Sequence, residues 1–232
     1  MGRLLLISAV LAAIVFSVFP GIDLWASGLF YDSGRGFYLK DAWWAVTLYD
    51  SIPVIAMLVG GGVLLLLVRG VVGRKPSRRL PNRFLLFVIV ALAVGPGLVV
   101  NLGFKDHWGR ARPRDVVEFA GERQFTPALV PTDQCRRNCS FVAGHPSVMF
   151  WLAAMAYAST EPRKRRRILV AAVALGLLAG LGRIVQGGHF LSDVLFSGIV
   201  TTTVVWALAA CVFKLDPAAP AGPVREGSAR SV

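Results

Sequence analysis

The chain has 232 residues, of which 55% are hydrophobic and only 16% charged, a composition outside the range of ordinary soluble domains. Its net charge of +12 would suit nucleic acid, but the basic residues concentrate between hydrophobic segments and not in a groove interleaved with aromatics. Nucleic-acid binding is excluded on that ground, and an integral membrane protein remains.

A scan for stretches of roughly 20 apolar residues predicts six spans, at about 4–20, 52–69, 84–103, 146–160, 168–186 and 190–213. The expected fold is all-α: a six-transmembrane-helix bundle over residues 1–215, followed by a disordered cytoplasmic tail at 216–232 rich in Pro, Ala, Gly and Ser. The first span follows Arg3 as a signal peptide would, but no small-x-small cleavage site precedes Gly21, so it is read as a retained helix. After it, residues 21–51 hold Trp25, Phe30, Tyr31, Phe37, Tyr38, Trp43, Trp44 and Tyr49. These suit an interfacial aromatic belt, and they also suit the lining of a path for a lipid. Gly60, Gly61 and Gly62 in the second span, and Gly176 and Gly180 in the fifth, either let helices approach closely or are ordinary small residues of membrane helices.

Orientation follows from two basic stretches. Arg69, Arg74, Lys75, Arg78, Arg79 and Arg83 follow the second span with no acid among them, and Arg163 to Arg167 precede the fifth against Glu161 alone. The positive-inside rule puts both in the cytoplasm. With six spans both termini are then cytoplasmic, and the stretches at 21–51, 104–145 and 187–189 face outward. The long stretch at 104–145 carries Phe119, Phe125 and Leu129 and is expected to pack down as a partly structured periplasmic loop. It contains Cys135 and Cys139. A disulfide is favoured over free thiols in an oxidising compartment, and a metal half-site lacks a second Cys or His pair. Cys211, in the last span, reads as a small core residue.

Three clusters of costly polar groups stand at the outer edge of these spans: Lys105-x6-Arg112-Pro113, then Gly144-His145, then Arg183-x5-His189-x3-Asp193. Ionisable residues gather at such places when there is chemistry to perform. His189 and Asp193, four apart, share a helix face, so Asp193 is expected to accept a hydrogen bond from the imidazole and leave its other nitrogen as nucleophile. Lys105, Arg112 and Arg183 are suited to phosphate oxygens. Gly144 and His145 open a helix whose N-terminus favours anions, and His145 can protonate a leaving oxygen. Taken singly the signals are weak. A lone cation at a membrane edge is usually a snorkelling anchor, and a lone Asp193 can simply cap a helix. Two of the three histidines falling within these clusters changes that balance. The third, His107, with Asp106 and Arg110, is read as structural or as lining the pocket mouth.

Lys-x6-Arg-Pro, Ser-Phe-x-x-Gly-His and Arg-x5-His-x3-Asp, in that order, resemble the three-part signature of the type 2 phosphatidic acid phosphatase family, which includes bacterial acid phosphatases and vanadium haloperoxidases. The resemblance covers nearly the whole chain in layout. It implies a metal-independent phosphatase, without cofactor, that forms a phosphohistidine on His189. Asp193 would orient that residue, and His145 would serve the leaving group and then the water. Lys105, Arg112, Arg183 and the Ala143-Gly144 turn would hold the phosphoryl oxygens. One position departs from the family. Where its second motif usually reads Pro-Ser-Gly-His, this chain has Val142-Ala143-Gly144-His145, so a donor to phosphate is expected to be missing. That implies a weakened enzyme, with Ala143 read as an introduced change.

The Cys-x3-Cys loop resembles that of bacterial lipid A 1-phosphatases and of related phosphatidylglycerophosphate and undecaprenyl diphosphate phosphatases. The expected substrate is therefore a lipid phosphate, lipid A 1-phosphate first, at the periplasmic face of a bacterial inner membrane. A lipid-to-lipid phosphotransferase would share every motif residue. An anion or lipid transporter is the non-enzymatic alternative, although its ionisable groups would lie at mid-membrane and not at the ends of spans.

Overall fold

The structure, a computed structural model, describes residues 1–73 and 80–215. The expected tail at 216–232, and Arg74, Lys75, Arg78 and Arg79 of the first basic stretch, lie outside the described residues.

Helix α1 (Gly2–Val18) turns by 84° into α2 (Gly21–Gly28). The turn falls at Pro20, which has no N–H to continue the ladder. A short antiparallel hairpin follows, β1 (Tyr31–Asp32) with β2 (Gly36–Phe37). Its turn is closed by Asp32 Oδ1, which accepts from the N–H groups of Gly34 and Arg35 at 3.0 and 3.1 Å. Four long helices come next or later: α3 (Trp43–Val72), α4 (Asn82–His107), α6 (Pro162–Val185) and α7 (Leu191–Val212). Between α4 and α6 lies α5 (Gly144–Trp151), which tightens to 3₁₀ geometry over Leu152–Ala158. In α4 the ladder widens from Ala93 to Phe104 around Pro96, and Asn101 Nδ2 donates to the Pro96 carbonyl at 2.8 Å. The helix thereby continues past a proline and delivers Lys105 at its end.

Helices α3, α4, α6 and α7 are each long and apolar enough to cross a membrane, and the bent α1–α2 pair makes a fifth if counted as one span. Six spans are not confirmed among the described residues. The expected span at 146–160 is α5 and its 3₁₀ extension, shorter than the roughly 20 residues a crossing needs. Its Met149, Phe150, Trp151, Ala153, Ala154 and Ala156 are buried within the protein. Hydropathy alone does not separate such an interior helix from a lipid-facing one. By contrast only 17% of the apolar window of α3 is buried, so most of its leucines face outward.

Helix α5 packs on α6 and α7. The contact is close because a Cβ at Gly176 would run into Phe150 and one at Gly180 into Val194. At one end of the bundle Phe84, Phe87, Val88, Trp151, Val205 and Phe213 form a core, with Trp151 Nε1 donating to the Val88 carbonyl at 3.0 Å. At the other end Phe16, Val100, Phe141 and Phe196 pack together. The segment from 108 to 143 folds over this second end, tied down by Trp108 Nε1 on the Ala128 carbonyl at 2.8 Å and by Phe125 against Phe190. Here α4 and α6 finish and α3, α5 and α7 begin. Arg163 to Arg167, expected in a loop, lie in the first turns of α6, about 30 Å from Arg183 at 1.5 Å per residue.

Candidate active site

Lys105 from the end of α4, Arg112 from the overlying segment, His145 from the start of α5, Arg183 from the end of α6 and His189 just before α7 line one cavity of about 890 Å³. Tyr31, Phe37, Tyr49 and Asn138 share its wall. Lys105, Arg112 and Arg183 are only 7, 8 and 7% exposed, yet among the described residues none of them makes an ion pair. Their bonds go to neutral acceptors. Lys105 Nζ donates to Asn138 Oδ1 at 2.9 Å, and Arg112 Nη2 to the Asn138 carbonyl and Oδ1 at 2.6 and 3.0 Å. Arg112 Nη1 reaches the Gly188 carbonyl at 3.3 Å, Arg183 Nη1 donates to Gln186 Oε1, and Arg183 Nε is buried with no partner among the described residues. Three half-desolvated like charges are unfavourable together unless an anion enters between them.

His189 is 1% exposed and its orientation differs from the expected one. Nδ1 lies 2.7 Å from the main-chain carbonyl of Ser140 but 3.7 Å from Asp193 Oδ2. A carbonyl can only accept, so Nδ1 carries the proton and Nε2 keeps its lone pair. Asp193 is the hub behind it. Its carboxylate accepts from Arg110 Nη1 at 2.6 Å, Ser140 Oγ at 2.5 Å and the Phe190 N–H at 2.8 Å. It is linked to His189 through Ser140 as well as directly across 3.7 Å, and it caps α7.

Ala143 and Gly144, expected to touch phosphate, are not on the cavity wall. Ala143 is fully buried against Ile184 and Val194. Its N–H donates to the Asp193 carbonyl at 3.1 Å and its own carbonyl accepts from Ser197 Oγ at 2.6 Å. A methyl fits that apolar place. Gly144 serves by being small, since a Cβ there would stand 3.1 Å from Lys105 Cε and 2.9 Å from Asn101 Oδ1.

Burial, then the charges of Arg183, Lys105 and Arg112, push the His145 imidazole down to about 4. Burial likewise pushes His189 down to about 3, with Arg112 and Lys105 adding to the effect and Asp193 opposing it. Both rings are therefore neutral near pH 7.

Several participants were not evident as sequence motifs. Tyr49 stacks on the His145 ring with centroids 4.3 Å apart, and the Arg183 guanidinium lies 4.6 Å from the Tyr49 ring centroid. Asn138 sits between the cysteines of a Cys135–Cys139 disulfide. Arg110, read as structural or as lining the pocket mouth, is 0% exposed. Besides Asp193 it binds Asp23 Oδ2 at 2.8 Å, Ser192 Oγ at 2.8 Å and the Thr126 carbonyl at 2.9 Å, and it lies 4.4 Å from the Phe190 ring. Asp23, an isolated acid in an apolar stretch, was the available signal for this network. His107 stays outside the cavity, its Nδ1 on the carbonyls of Leu102 and Gly103 at 3.0 and 2.9 Å.

The model of the PAP2 superfamily matches residues 84–217, the region that holds all three clusters. This chain belongs to the PAP2 superfamily. Among curated PAP2-like relatives, the lipid A 4'-phosphatase of Francisella tularensis subsp. novicida (strain U112) is 38% identical over 213 residues, covering 88% of this chain and 91% of the relative. The lipid A 4'-phosphatase of Rhizobium etli is 30% identical over 84% of this chain and 81% of its own length. That of Rhizobium leguminosarum is 29% identical over 84% and 89%. No solved structure matches the chain. Family and relatives together make this PAP2 protein a phosphoric ester hydrolase.

Proposed function

We propose that this protein is a lipid A phosphatase acting through a phosphohistidine, with the 4'-phosphate as its substrate in place of the 1-phosphate expected from the sequence. The observation that carries the chemistry is the convergence of Lys105, Arg112 and Arg183, without ion-pair partners among the described residues, on the cavity lined by His145 and His189. The position on the lipid rests on the activity for which the three relatives are named.

His189 Nε2 attacks phosphorus, the bond to the sugar oxygen breaks, and His145 supplies the proton that oxygen needs. Water then attacks the phosphohistidine, with His145 taking a proton from it. The three cations hold the non-bridging oxygens and offset the charge of the transferring group. An acid with an imidazole near 4 would be unprotonated at neutral pH, so the substrate itself must supply the remedy. Burial depresses His145 most, and the negative charge of the substrate opposes the further depression by Arg183, Lys105 and Arg112.

The cavity would face the periplasm. Arg163 to Arg167 lie at the opposite end of α6 from Arg183, and basic ends favour the cytoplasm. Exposed Trp25 and Trp43 near the cavity end fit the headgroup level, where a lipid-borne phosphate sits.

The test is phosphate release, with EDTA present, from lipid A phosphorylated only at the 4'- or only at the 1-position, from phosphatidylglycerophosphate and from undecaprenyl diphosphate. Release from the 4'-form alone, lost in His189→Ala, is the expected result. Preference for the 1-form overturns the position, and loss of activity with EDTA overturns the histidine chemistry. Phosphate appearing on an added acceptor lipid, and not in solution, would identify a phosphotransferase.

A further inference from the structure

Asn138 is fixed on three sides and open on the fourth. Its backbone is in the left-handed region, φ 53°, which asparagine adopts more readily than most residues. Its N–H donates to Asp106 Oδ1 at 3.1 Å and its carbonyl accepts from Arg112 Nη2 at 2.6 Å. The disulfide between Cys135 and Cys139, with Cα atoms 5.6 Å apart, closes the turn that presents it. The side-chain oxygen accepts from both Lys105 Nζ and Arg112 Nη2. Two cationic donors decide which end of the amide is oxygen, because the NH₂ end would meet them donor to donor. Nδ2 therefore points away from the two cations. It makes no hydrogen bond among the described residues, and Asn138 is part of the cavity wall.

We propose that Asn138 is a phosphate ligand, donating from Nδ2 to a non-bridging phosphoryl oxygen alongside Lys105, Arg112 and Arg183. The inference rests on the phosphatase reading above and deepens it. It also accounts for position 143. The uncharged donor expected from a serine before Gly144 comes instead from the disulfide-closed turn, while Ala143 packs into the apolar interior. Because Oδ1 is already bonded to Lys105 and Arg112, the amide is oriented before substrate arrives, which is the condition for a donor to lower a barrier.

Two variants test this. Asn138→Gly keeps a residue at ease with positive φ but deletes the amide. Asn138→Asp keeps the shape and the acceptor for both cations but replaces the free donor with a charged oxygen. The measurements are phosphate release from 4'-phosphorylated lipid A and calorimetric binding of inorganic phosphate to detergent-solubilised protein with its disulfide intact. Asn138→Gly is expected to lose about 100-fold in kcat and about tenfold in phosphate affinity. Asn138→Asp should be worse in both. Turnover of Asn138→Gly at the parent rate would overturn the proposal, as would tighter phosphate binding, the sign of a residue that merely occupies the anion's place. His189→Ala, run in parallel, should be inactive yet still bind phosphate. If His189→Ala turns over, the phosphohistidine reading fails, while the phosphate titration of Asn138→Gly still judges Asn138 by itself.

Discussion

Arg110 and Arg112 are two residues apart and meet opposite fates. Arg110 is wholly buried, held by two carboxylates, a hydroxyl and a carbonyl and covered by the Phe125 and Phe190 rings. Arg112 is nearly as buried but bonds only to neutral oxygens, and it faces the cavity beside Lys105 and Arg183. The first has its counter-charges inside the protein; the second is left to find one in a ligand. Charge balance, more than burial, separates the residue that builds the site from the residue that works in it.

The sharpest way to break this comparison is to truncate each arginine. Arg110→Ala strands Asp23 and Asp193 in the interior, and breaking a buried pair in this way costs about 3–5 kcal/mol. It is expected to lower the unfolding temperature in detergent severely, with activity lost as a consequence. Arg112→Ala relieves repulsion within the cationic cluster. It should keep the parent's unfolding temperature while kcat/KM falls by about 100-fold or more. If Arg112→Ala proves the less stable of the two, the division between scaffold and ligand-binding charge is wrong.

Tyr49 sharpens the comparison from the cavity side, because it touches two of the site's groups without charge of its own. Its ring stacks on His145 and lies under the Arg183 guanidinium. Removing contacts of this type costs on the order of 1–2 kcal/mol, so Tyr49→Ala should lose roughly tenfold in kcat. Tyr49→Phe keeps both ring contacts and should restore most of it. A KM rise with unchanged kcat in Tyr49→Ala would instead assign the ring to substrate contact.

The same imbalance of charge sets a pH dependence. His145 and His189 bind protons less readily in the folded protein, at about 4 and about 3, than in the unfolded chain near 6.5. Between those values the unfolded state holds more protons. Stability therefore falls as pH drops from about 6.5 toward 4 and is insensitive to these two groups above that window. Unfolding temperatures across pH 4–8 measure this, and His145→Gln should flatten part of the slope. Phosphate binding should offset the part of the His145 shift that comes from Arg183, Lys105 and Arg112, leaving the part due to burial. Titrations at pH 6 in buffers of different ionisation enthalpy are expected to show proton uptake, lost in His145→Gln.

Much of the site was readable from the order of motifs. Lys105, Arg112, His145, Arg183 and His189 do converge, because four of them stand at or beside helix ends that meet and Arg112 comes down from the overlying segment. What spacing could not supply was the partner of each side chain. The i, i+4 relation of His189 and Asp193 made a direct hydrogen bond the natural expectation, yet the Ser140 carbonyl stands nearer. That contact joins residues 49 positions apart and follows from how the 108–143 segment folds over the bundle. Asp23 and Arg110 are 87 positions apart, and no local pattern links them. The sixth expected span was not confirmed for a related reason, since α5 is apolar but short and buried in protein.

Position 143 gives the smallest effect and is where motif reasoning and geometry point in different directions. Motif comparison alone makes Ala143→Ser a gain of function, because it restores a hydroxyl to the turn before Gly144. In the fold the Ala143 side chain meets Ile184 and Val194, and the residue is not on the cavity wall. A serine there would bury its hydroxyl, at a cost of about 1 kcal/mol or more unless it turns to cap the start of α5. Ala143→Ser is therefore expected to leave kcat unchanged and to alter the unfolding temperature by a few degrees at most. A large rise in phosphate release would mean that the hydroxyl does reach the phosphoryl group, and Asn138 would then no longer be needed as the neutral donor.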